Sequence, residues 1–176
     1  MLDKNVGYIK LDRFAQTSNT EFEESLAKLK AQKMKSLILD LRGNTGGYLN
    51  IAAELSNQFL KKDMTIVYTE GDKSPKQIFN TDKNGKFTDG KLIILIDEGS
   101  ASASEIVSDA VQDWDRGILI GRRSFGKGLV QRPFNLPDGS QVRLTTARYY
   151  TPTGRCIQRS YEKGSEDYYN EMTKRM

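Results

Sequence analysis

Two short apolar runs, each followed directly by a turn of small residues and a helix-like segment, constrain the fold most. Residues 36–41 read Ser-Leu-Ile-Leu-Asp-Leu and lead into the Gly-rich turn of residues 42–47. Residues 92–96 read Leu-Ile-Ile-Leu-Ile, and the Ser-rich segment of residues 99–104 follows them. Continuous apolar runs of this length are typical of parallel strands that are buried on both faces. The sequence therefore predicts α/β units that share a parallel sheet.

The other segments extend this pattern along the chain, whose 176 residues suit one domain. A helix is predicted over residues 18–32, where Ser18 and Glu21 have the spacing of a capping box. Two further helices are predicted, over residues 48–61 and from the Ser-rich segment to Trp114. Four further strands are predicted, over residues 6–11, 64–68, 118–120 and 142–149.

Two segments are expected to lie outside this framework. Residues 71–90 are rich in Lys, Asp, Asn and Gly, so they are predicted to form an exposed loop or hairpin. Residues 157–176 are predicted to be a polar tail. The expected architecture is thus a single α/β domain over residues 1–176, with a central, mostly parallel sheet flanked by helices.

The chain contains no histidine and one cysteine, Cys156, which excludes several classes of site. Ser-His-Asp and Cys-His triads need an imidazole to take the proton of the nucleophile. Zinc sites need His or several Cys ligands, and we expect no metal and no cofactor. Any nucleophile must be a hydroxyl that another base activates, and lysine is the usual substitute.

Charge and hydropathy exclude two classes of partner. The net charge is +4, from 27 Lys and Arg against 23 Asp and Glu, and the two signs are interspersed along the chain. A nucleic-acid-binding protein would concentrate its basic residues in a stripe or patch. The chain also lacks an apolar run of the length that spans a bilayer. We therefore expect neither nucleic-acid binding nor an integral membrane segment.

Three alternating serines, Ser100, Ser102 and Ser104, lie where the second apolar run enters its helix. The N-terminus of a helix exposes a hydroxyl and directs backbone N–H groups at a developing oxyanion. Gly46 and Gly47 follow the neighbouring strand and are placed to supply a second donor. Simpler interpretations remain open, because serines also cap helices and glycines also serve turns that need positive φ.

Lys127 is the candidate base because it lies between Gly126 and Gly128, which allow close backbone packing. Burial away from carboxylates favours the neutral amine that a base needs, and the uncharged Gln131 could orient it. Residues 121–127 also match half of a phosphate-binding loop, G-x-x-x-x-G-K. That alternative is disfavoured, since Gly128 replaces the Ser or Thr that holds Mg²⁺ and no helix follows.

Together these stretches resemble the catalytic core of the C-terminal processing (tail-specific) serine peptidases. The resemblance is carried by five segments in the same order, residues 7–11, 39–47, 97–105, 121–131 and 149–155. It implies a fold of the ClpP and crotonase type, α/β with a mostly parallel central sheet. It also implies an endopeptidase that uses a Ser-Lys pair and needs no cofactor.

The resemblance assigns a role to individual residues. Ser102 matches the nucleophile, Lys127 the base and Gln131 the glutamine that assists the lysine. The implied oxyanion donors are the amide of Ala103 and the glycine pair, Gly46 and Gly47. Asp113 matches an acidic position of some members, and we expect both Asp113 and Glu105 to have a structural role in their helix.

The resemblance also implies substrates and surroundings. Members act on protein or peptide substrates with flexible C-termini and are typically exported to the periplasm or cell envelope of bacteria. They usually carry a PDZ domain upstream, so this chain is expected to be the core without its PDZ domain and signal peptide. Two other functions stay open: a non-catalytic peptide-binding module on the same fold, and a crotonase-like acyl-thioester enzyme. The oligomeric state is not predicted.

Overall fold

Two four-stranded sheets form the framework of the computed structural model, which describes residues 1–161 and the single residues 164, 166 and 170. One sheet is parallel and contains β1 (Val6–Lys10), β2 (Ser36–Asp40), β5 (Lys91–Ile96) and β6 (Ile118–Gly121), in the order β1-β2-β5-β6. The other is antiparallel and contains β3 (Thr65–Gly71), β4 (Ser74–Asn80), β7 (Leu129–Asn135) and β8 (Gln141–Tyr150), in the order β4-β3-β8-β7. The helices are α1 (Ser18–Ala31), α2 (Leu49–Asn57) and α3 (Ala103–Asp113).

The core lies against one face of the parallel sheet. Leu37 and Leu39 of β2 are fully buried there, and Leu92 and Ile94 of β5 are paired with them in register. On the opposite face, Ile38 and its partner Ile93 are only half-buried. Both faces of these strands are apolar, as predicted, but only one face is fully buried. The helices contribute their apolar stripes to the same core, including an edge-to-face contact of Phe22 with Phe59.

The predicted parallel α/β architecture is confirmed, and the antiparallel sheet adds to it. The helix predicted over residues 48–61 is shorter than expected and ends at Asn57. After that residue the amides of Gln58 and Phe59 donate to Leu55 O and Ser56 O, three residues back. Such tightening of the last turn is a common way for a helix to end.

The predicted capping box at Ser18 and Glu21 is wrong. Thr17 is the residue that precedes α1, and its side chain makes no capping hydrogen bond. Ser18 lies inside the first turn, where its Oγ donates to Arg13 O and accepts from the amide of Ala15, both at 3.0 Å. The hydroxyl closes the preceding turn and is therefore not available to the helix amides.

The two segments expected outside the framework differ in how much of them is described. Residues 71–90 contain β4, which pairs with β3 as a hairpin, and Phe87, which is buried in the core. Of the polar tail expected over residues 157–176, residues 162, 163, 165, 167–169 and 171–176 lie outside the described residues. Among the described residues, no helix has the length and apolar composition that crossing a bilayer requires.

A buried carboxylate connects the ends of β1 and β2. The Asp40 side chain accepts hydrogen bonds from Tyr8 Oη at 2.6 Å and from Arg42 Nη2 at 2.7 Å, and also from Arg42 Nε and the Arg42 amide. The hydrogen bonds from Arg42 are the main reason why the pKa of Asp40 is lowered from 3.8 to about 2. This network fixes the edge of the sheet from which the Gly-rich turn departs.

Ionised Asp40 is expected to stabilise the fold above about pH 4, and this contribution is lost as the pH falls towards 2. Urea unfolding of the parent chain should lose about 1–2 kcal/mol from this group over that range. In Asp40→Asn the free energy of unfolding should be lower at pH 7 and should lack this part of the pH dependence. Asp12→Asn, which removes an exposed carboxylate paired with Lys10, is the control and should behave as the parent chain. An unchanged acid transition in Asp40→Asn would contradict the assignment.

Candidate active site

Ser102 lies at the N-terminus of α3 in a sparsely populated backbone conformation. Its φ is 56° and its ψ is −110°, outside the usual left-handed region for residues other than glycine. Such a conformation costs on the order of 1–3 kcal/mol and persists only where the surroundings hold it. Strand-to-helix turns of this strained kind expose a nucleophilic serine in other hydrolases. The backbone at Ser102 thus suits a functional hydroxyl.

The hydroxyls of the three alternating serines have different environments. Ser100 is fully buried, and its Oγ donates to Leu41 O at 2.8 Å and accepts from the amide of Asp97. Ser104 is also fully buried and donates to Asn44 O at 2.8 Å. Ser102 is half-buried, and within residues 1–161 its hydroxyl donates no hydrogen bond. Two of the serines therefore join the turns together, and Ser102 alone presents a hydroxyl with an unengaged proton.

Asn44 holds the Gly-rich turn against the Ser-rich turn. It is fully buried, donates through Nδ2 to Leu11 O at 2.7 Å and accepts at Oδ1 from the amide of Gly46 at 2.9 Å. Its backbone carbonyl accepts from the amide of Ala101 and from Ser104 Oγ. The two turns meet because β2 and β5 are neighbouring parallel strands and end at the same edge of the sheet. Sequence reasoning did not identify Asn44, although an Asn two residues before a Gly suggests an Asx turn.

The two candidate glycines differ in what their amides do. Gly46 has φ +102°, and a Cβ there would lie 2.7 Å from Ala101 O and 2.9 Å from Ser102 Cβ. Only glycine fits such a close approach without displacing its neighbours. Its N–H is already donated to Asn44. In the part of the chain that the structure describes, the N–H groups of Gly47 and Ala103 donate no hydrogen bond. Those two amides are therefore unengaged donors, one directly after Ser102 and the other directly after Gly46, whose backbone approaches Ser102.

The Glu105 carboxylate joins the Ser102 turn to the Lys127 loop. Glu105 is 1% exposed, and its Oε2 accepts from the amide of Ser102 at 2.8 Å and from the amide of Lys127 at 2.9 Å. Its Oε1 accepts from the amide of Gly126 at 2.6 Å and from Ser124 Oγ at 2.7 Å. One side chain therefore fixes both backbones, a wider role than the one within its helix that the sequence suggested. The Ser-x-x-Glu spacing of Ser102 and Glu105, a capping box, is the signal that identifies it.

Further backbone contacts hold the Lys127 loop in place. The amide of Phe125 donates to Ser100 O, and the carbonyl of Gly128 accepts from the amide of Tyr149. A Cβ on Gly128 would lie 2.3 Å from the amide nitrogen of Gln158, so the chain passes too closely there for any side chain. The loop is thus pinned on both sides of Lys127.

The structure brings the predicted residues together to different degrees. Lys127 is half-buried, and no hydrogen bond joins its Nζ to Ser102 Oγ in the described residues. Gln131 lies on β7, where Thr146 of β8 is an extra residue that shifts the register between the two strands, and it is exposed. The backbones of Ser102, Ala103 and Lys127 are therefore held close together through Glu105, whereas Gln131 is at the periphery.

Asp113 connects the C-terminus of α3 to the loop that follows β8. Its Oδ2 accepts from the amide and hydroxyl of Thr153, and its Oδ1 accepts from Arg155 Nη2. Burial opposes ionisation of Asp113, but hydrogen bonds from Thr151, Thr153 and Arg155 outweigh it and lower its pKa. Asp113 makes these contacts at the opposite end of α3 from Ser102, consistent with a structural role.

Asp109 has an unusual environment one helical turn after Glu105. Burial raises its pKa to about 7. Arg155, whose Nη2 is 3.6 Å from Asp109 Oδ1, opposes this shift, whereas the charges of Glu105 and Asp113 add to it. The Asp109 carboxyl is therefore partly protonated near neutral pH. Sequence reasoning did not identify Asp109, because the pKa shift arises from burial in the folded chain.

Comparisons with known proteins identify the family to which these features point. The sequence model of peptidase family S41 matches residues 5–165. A carboxyl-terminal-processing protease of Picosynechococcus is 40% identical over 149 residues, which cover 85% of this chain and 36% of that protein. The chloroplastic carboxyl-terminal-processing peptidase 3 of Arabidopsis thaliana is 41% identical over 150 residues, which cover 84% of this chain and 28% of that protein.

Solved structures give the same result. The photosystem II D1 C-terminal processing protease superposes with a TM-score of 0.81 at 33% identity, covering 87% of this chain and 39% of that one. The chain spans about a third of the length of the curated relatives it matches.

Glu105→Gln should loosen the Lys127 loop, because the NH₂ group that replaces one carboxylate oxygen would face the N–H and O–H donors of the loop. We expect a loss of about 2–3 kcal/mol in the free energy of unfolding. Hydrogen exchange at the amides of Gly126 and Lys127 should become at least about tenfold faster. Ser124→Ala, which removes one of the four donors, should have a smaller effect, and Glu21→Gln on the exposed side of α1 should have none. Unchanged exchange at Gly126 and Lys127 in Glu105→Gln would refute this role.

Proposed function

The chain belongs to peptidase family S41, and on that premise we propose that it is the core of a serine endopeptidase that uses Ser102 and Lys127. Its relatives are carboxyl-terminal processing proteases, so the proposed substrates are proteins or peptides with flexible C-termini. An upstream PDZ domain and a location in the periplasm or cell envelope of a bacterium belong to the same proposal. These two points rest on the resemblance of the sequence to the family.

One observation carries the proposal: among the three alternating serines, only Ser102 has an unengaged hydroxyl proton and contact with solvent. Ser100 and Ser104 are fully buried, and their hydroxyls donate to backbone carbonyls. Ser102 also lies at a helix N-terminus, and in the described chain the amides of Ala103, the next residue, and of Gly47, which follows Gly46, are unengaged. Acyl transfer needs a nucleophile and donors for the oxyanion, and we propose that these two amides are those donors.

The proposed reaction begins with attack of Ser102 Oγ on the carbonyl carbon of the scissile peptide bond. Lys127 Nζ, as the neutral amine, accepts the hydroxyl proton. The amides of Ala103 and Gly47 donate to the oxyanion, and the N-terminus of α3 adds its dipole. Collapse of the tetrahedral intermediate breaks the C–N bond, and the Lys127 ammonium returns the proton to the leaving amine. Water then attacks the Ser102 ester with Lys127 again as the base, releasing the acid and restoring the hydroxyl.

The contacts of the Lys127 side chain are compatible with this proposal. The Glu105 carboxylate is near the Lys127 backbone, but its four hydrogen bonds go to three amides and one hydroxyl. No ion pair between Lys127 Nζ and a carboxylate occurs in residues 1–161. A lysine side chain has enough rotatable bonds to approach Ser102 once substrate is bound, and catalytic hydrogen bonds are often long in the free enzyme.

Gln131 and Asp113 complete the proposal as positioning residues. Gln131 lies on β7 where the pairing with β8 shifts register, since Thr146 of β8 is an extra residue there, and such irregularities commonly occur beside active sites. We assign it the role of orienting Lys127 when substrate is bound. Asp113 anchors the loop containing Thr153 and Arg155 to α3, and so keeps the helix that bears Ser102 at a fixed position.

Substitution of Ser102 and Lys127 tests the mechanism most directly. With an unfolded protein as substrate, Ser102→Ala and Lys127→Ala should each reduce the cleavage rate by about a thousandfold or more. Lys127→Arg should also be inactive, because a guanidinium does not give up its proton at working pH. The matched controls are Ser140→Ala and Lys73→Ala, which alter exposed residues of the same types. Each protein is assayed with and without the natural upstream segment.

Each outcome of this assay has a definite meaning. Cleavage that persists in Ser102→Ala would refute the assignment of the nucleophile. Activity that needs the upstream segment would mean that the core requires it to assemble the site. Peptide binding without cleavage in every case would instead support a binding module. Saturable binding of coenzyme A would favour the acyl-thioester class.

A further inference from the structure

The guanidinium of Arg155 is shared between two carboxylates of α3. Its Nη2 lies 2.5 Å from Asp113 Oδ1 and 3.6 Å from Asp109 Oδ1. The two carboxylates are four residues apart, which places them on the same face of the helix. Thr153, two residues before Arg155, donates to Asp113 as well. These contacts fix the loop after β8 to α3, with Asp109 at one end of the cluster.

Asp109 is the least satisfied carboxylate on this face of α3. Its side chain is 19% exposed and lines a cavity of about 420 Å³. In the part of the chain that the structure describes, its carboxylate accepts no hydrogen bond, whereas Glu105 accepts four and Asp113 three. Glu105 and Asp113 each lie one turn away from it, and like charges at that spacing repel. A carboxylate in such surroundings favours its neutral form.

A single cation offsets the charge of Asp109. The other charged or titratable groups that line the same cavity are Arg122 and Arg123 after β6, and Cys156 and Arg159 after β8. Among the described residues, only Arg155 forms an ion pair with Asp109. Burial, together with the charges of Glu105 and Asp113, outweighs this pair and raises the pKa of Asp109 to about 7. The charge of Asp109 and its contact with Arg155 therefore depend on each other near neutral pH.

Residues 155–159 connect this cluster to the loop that carries the candidate base. The amide of Arg159 donates to Gly126 O at 3.0 Å. The side chain of Gln158 accepts from the amide of Gly128, also at 3.0 Å. The segment is thus hydrogen-bonded to the residue before the base and to the residue after it. Because the shared guanidinium belongs to the first residue of this segment, its position affects the hydrogen bonds on both sides of the base.

We propose that Arg155 is a positioning residue for Lys127 and that Asp109 makes this positioning dependent on pH. With Asp109 neutral, Arg155 pairs with Asp113, and residues 155–159 hold the Lys127 loop. Once Asp109 is ionised, it adds a negative charge to this helix face and competes with Asp113 for the one guanidinium. The inference deepens the proposed function, on which it rests for the role of Lys127, by assigning a regulation to the same site.

The direction of the effect follows from the acidity of Asp109 in the two states. Its pKa is about 7 in the folded chain, against an ordinary value of 3.8 that it regains when the segment opens and water reaches it. The stability that neutral Asp109 contributes is fully present below about pH 4 and is lost as the pH rises through 7. The Lys127 loop should therefore be held firmly in mildly acidic solution and should loosen in mildly alkaline solution.

Hydrogen exchange in the 176-residue chain tests this coupling without any assay of cleavage. The exchange rate of each amide is divided into that of an unstructured peptide at the same pH, which gives its protection. Between pH 5 and pH 8, protection at the amides of Gly128 and Arg159 should fall at least about tenfold in the parent chain. In Asp109→Asn it should change by less than about threefold. Asp72→Asn, the same change at an exposed residue, should behave as the parent chain. A parent chain without this fall, or an equal fall in Asp109→Asn, would overturn the proposal.

Substitution of Arg155 tests whether the guanidinium transmits the effect. Arg155→Ala should lower protection at Gly128 and Arg159 at least about tenfold already at pH 5. Arg155→Lys should restore part of it, because an ammonium keeps the charge but lacks the planar fork of donors. Arg143→Ala, which alters an exposed arginine of β8, is the control and should leave protection unchanged. Unchanged protection in Arg155→Ala would refute the role of Arg155.

Cleavage of an unfolded protein, with the natural upstream segment present, connects the pH effect to the proposed function. The ratio of the rate at pH 8 to the rate at pH 6 should be at least about threefold higher in Asp109→Asn than in the parent chain. A residue that only stabilised the fold would change both rates alike, so an unchanged ratio would contradict the proposal. If no form of the chain cleaves but protection responds as expected, the coupling stands and the proposed function fails. Cleavage with protection that does not respond to pH would mean the reverse.

Discussion

The buried carboxylate of Glu105 determines the distance between the two halves of the candidate site. One of its oxygens accepts hydrogen bonds from the amides of Ser102 and Lys127. The other accepts from the amide of Gly126 and from Ser124 Oγ. A buried charge is costly unless it is well hydrogen-bonded, and here four donors and the N-terminus of α3 stabilise it. Because these donors come from segments about 20 residues apart, neither segment can move without losing part of that stabilisation.

The parallel sheet makes this arrangement possible. The turns after β2 and β5 leave the same edge of the sheet, since the two strands are neighbours and parallel. The side chains of Asn44, Ser100 and Ser104 hydrogen-bond to backbone groups of those turns and the adjoining strand ends. This polar packing supports the strained backbone of Ser102, which would otherwise relax. Ser102 can remain half-exposed because the hydroxyls of Ser100 and Ser104 make the hydrogen bonds that hold the two turns together.

Sequence reasoning recovered the parallel α/β order, the Ser-rich turn and the Gly-rich turn, because these depend on local pattern and on residue type. It misjudged Ser18, whose hydroxyl closes the preceding turn, since a capping-box spacing does not reveal which amides are nearby. It placed Glu105 within its helix, although the same spacing at Ser102 and Glu105 was present. The hydrogen bond from the amide of Gly126 to that carboxylate depends on where the loop lies in the folded chain. The residues next to Glu105 in sequence do not reveal that position.

The sequence by itself determined the chemical options. Without histidine, a hydroxyl nucleophile has to rely on another base, and the order of strands, turns and helices places serines and glycines at one edge of the sheet. The tertiary structure decided which of these groups are available. Ser100 and Ser104 donate to carbonyls 59 and 60 residues away, and the amide of Gly46 is taken by Asn44. Hydrogen-bonding capacity is used up by whichever partner the fold brings close, so only the folded chain distinguishes a free hydroxyl or amide from one already engaged.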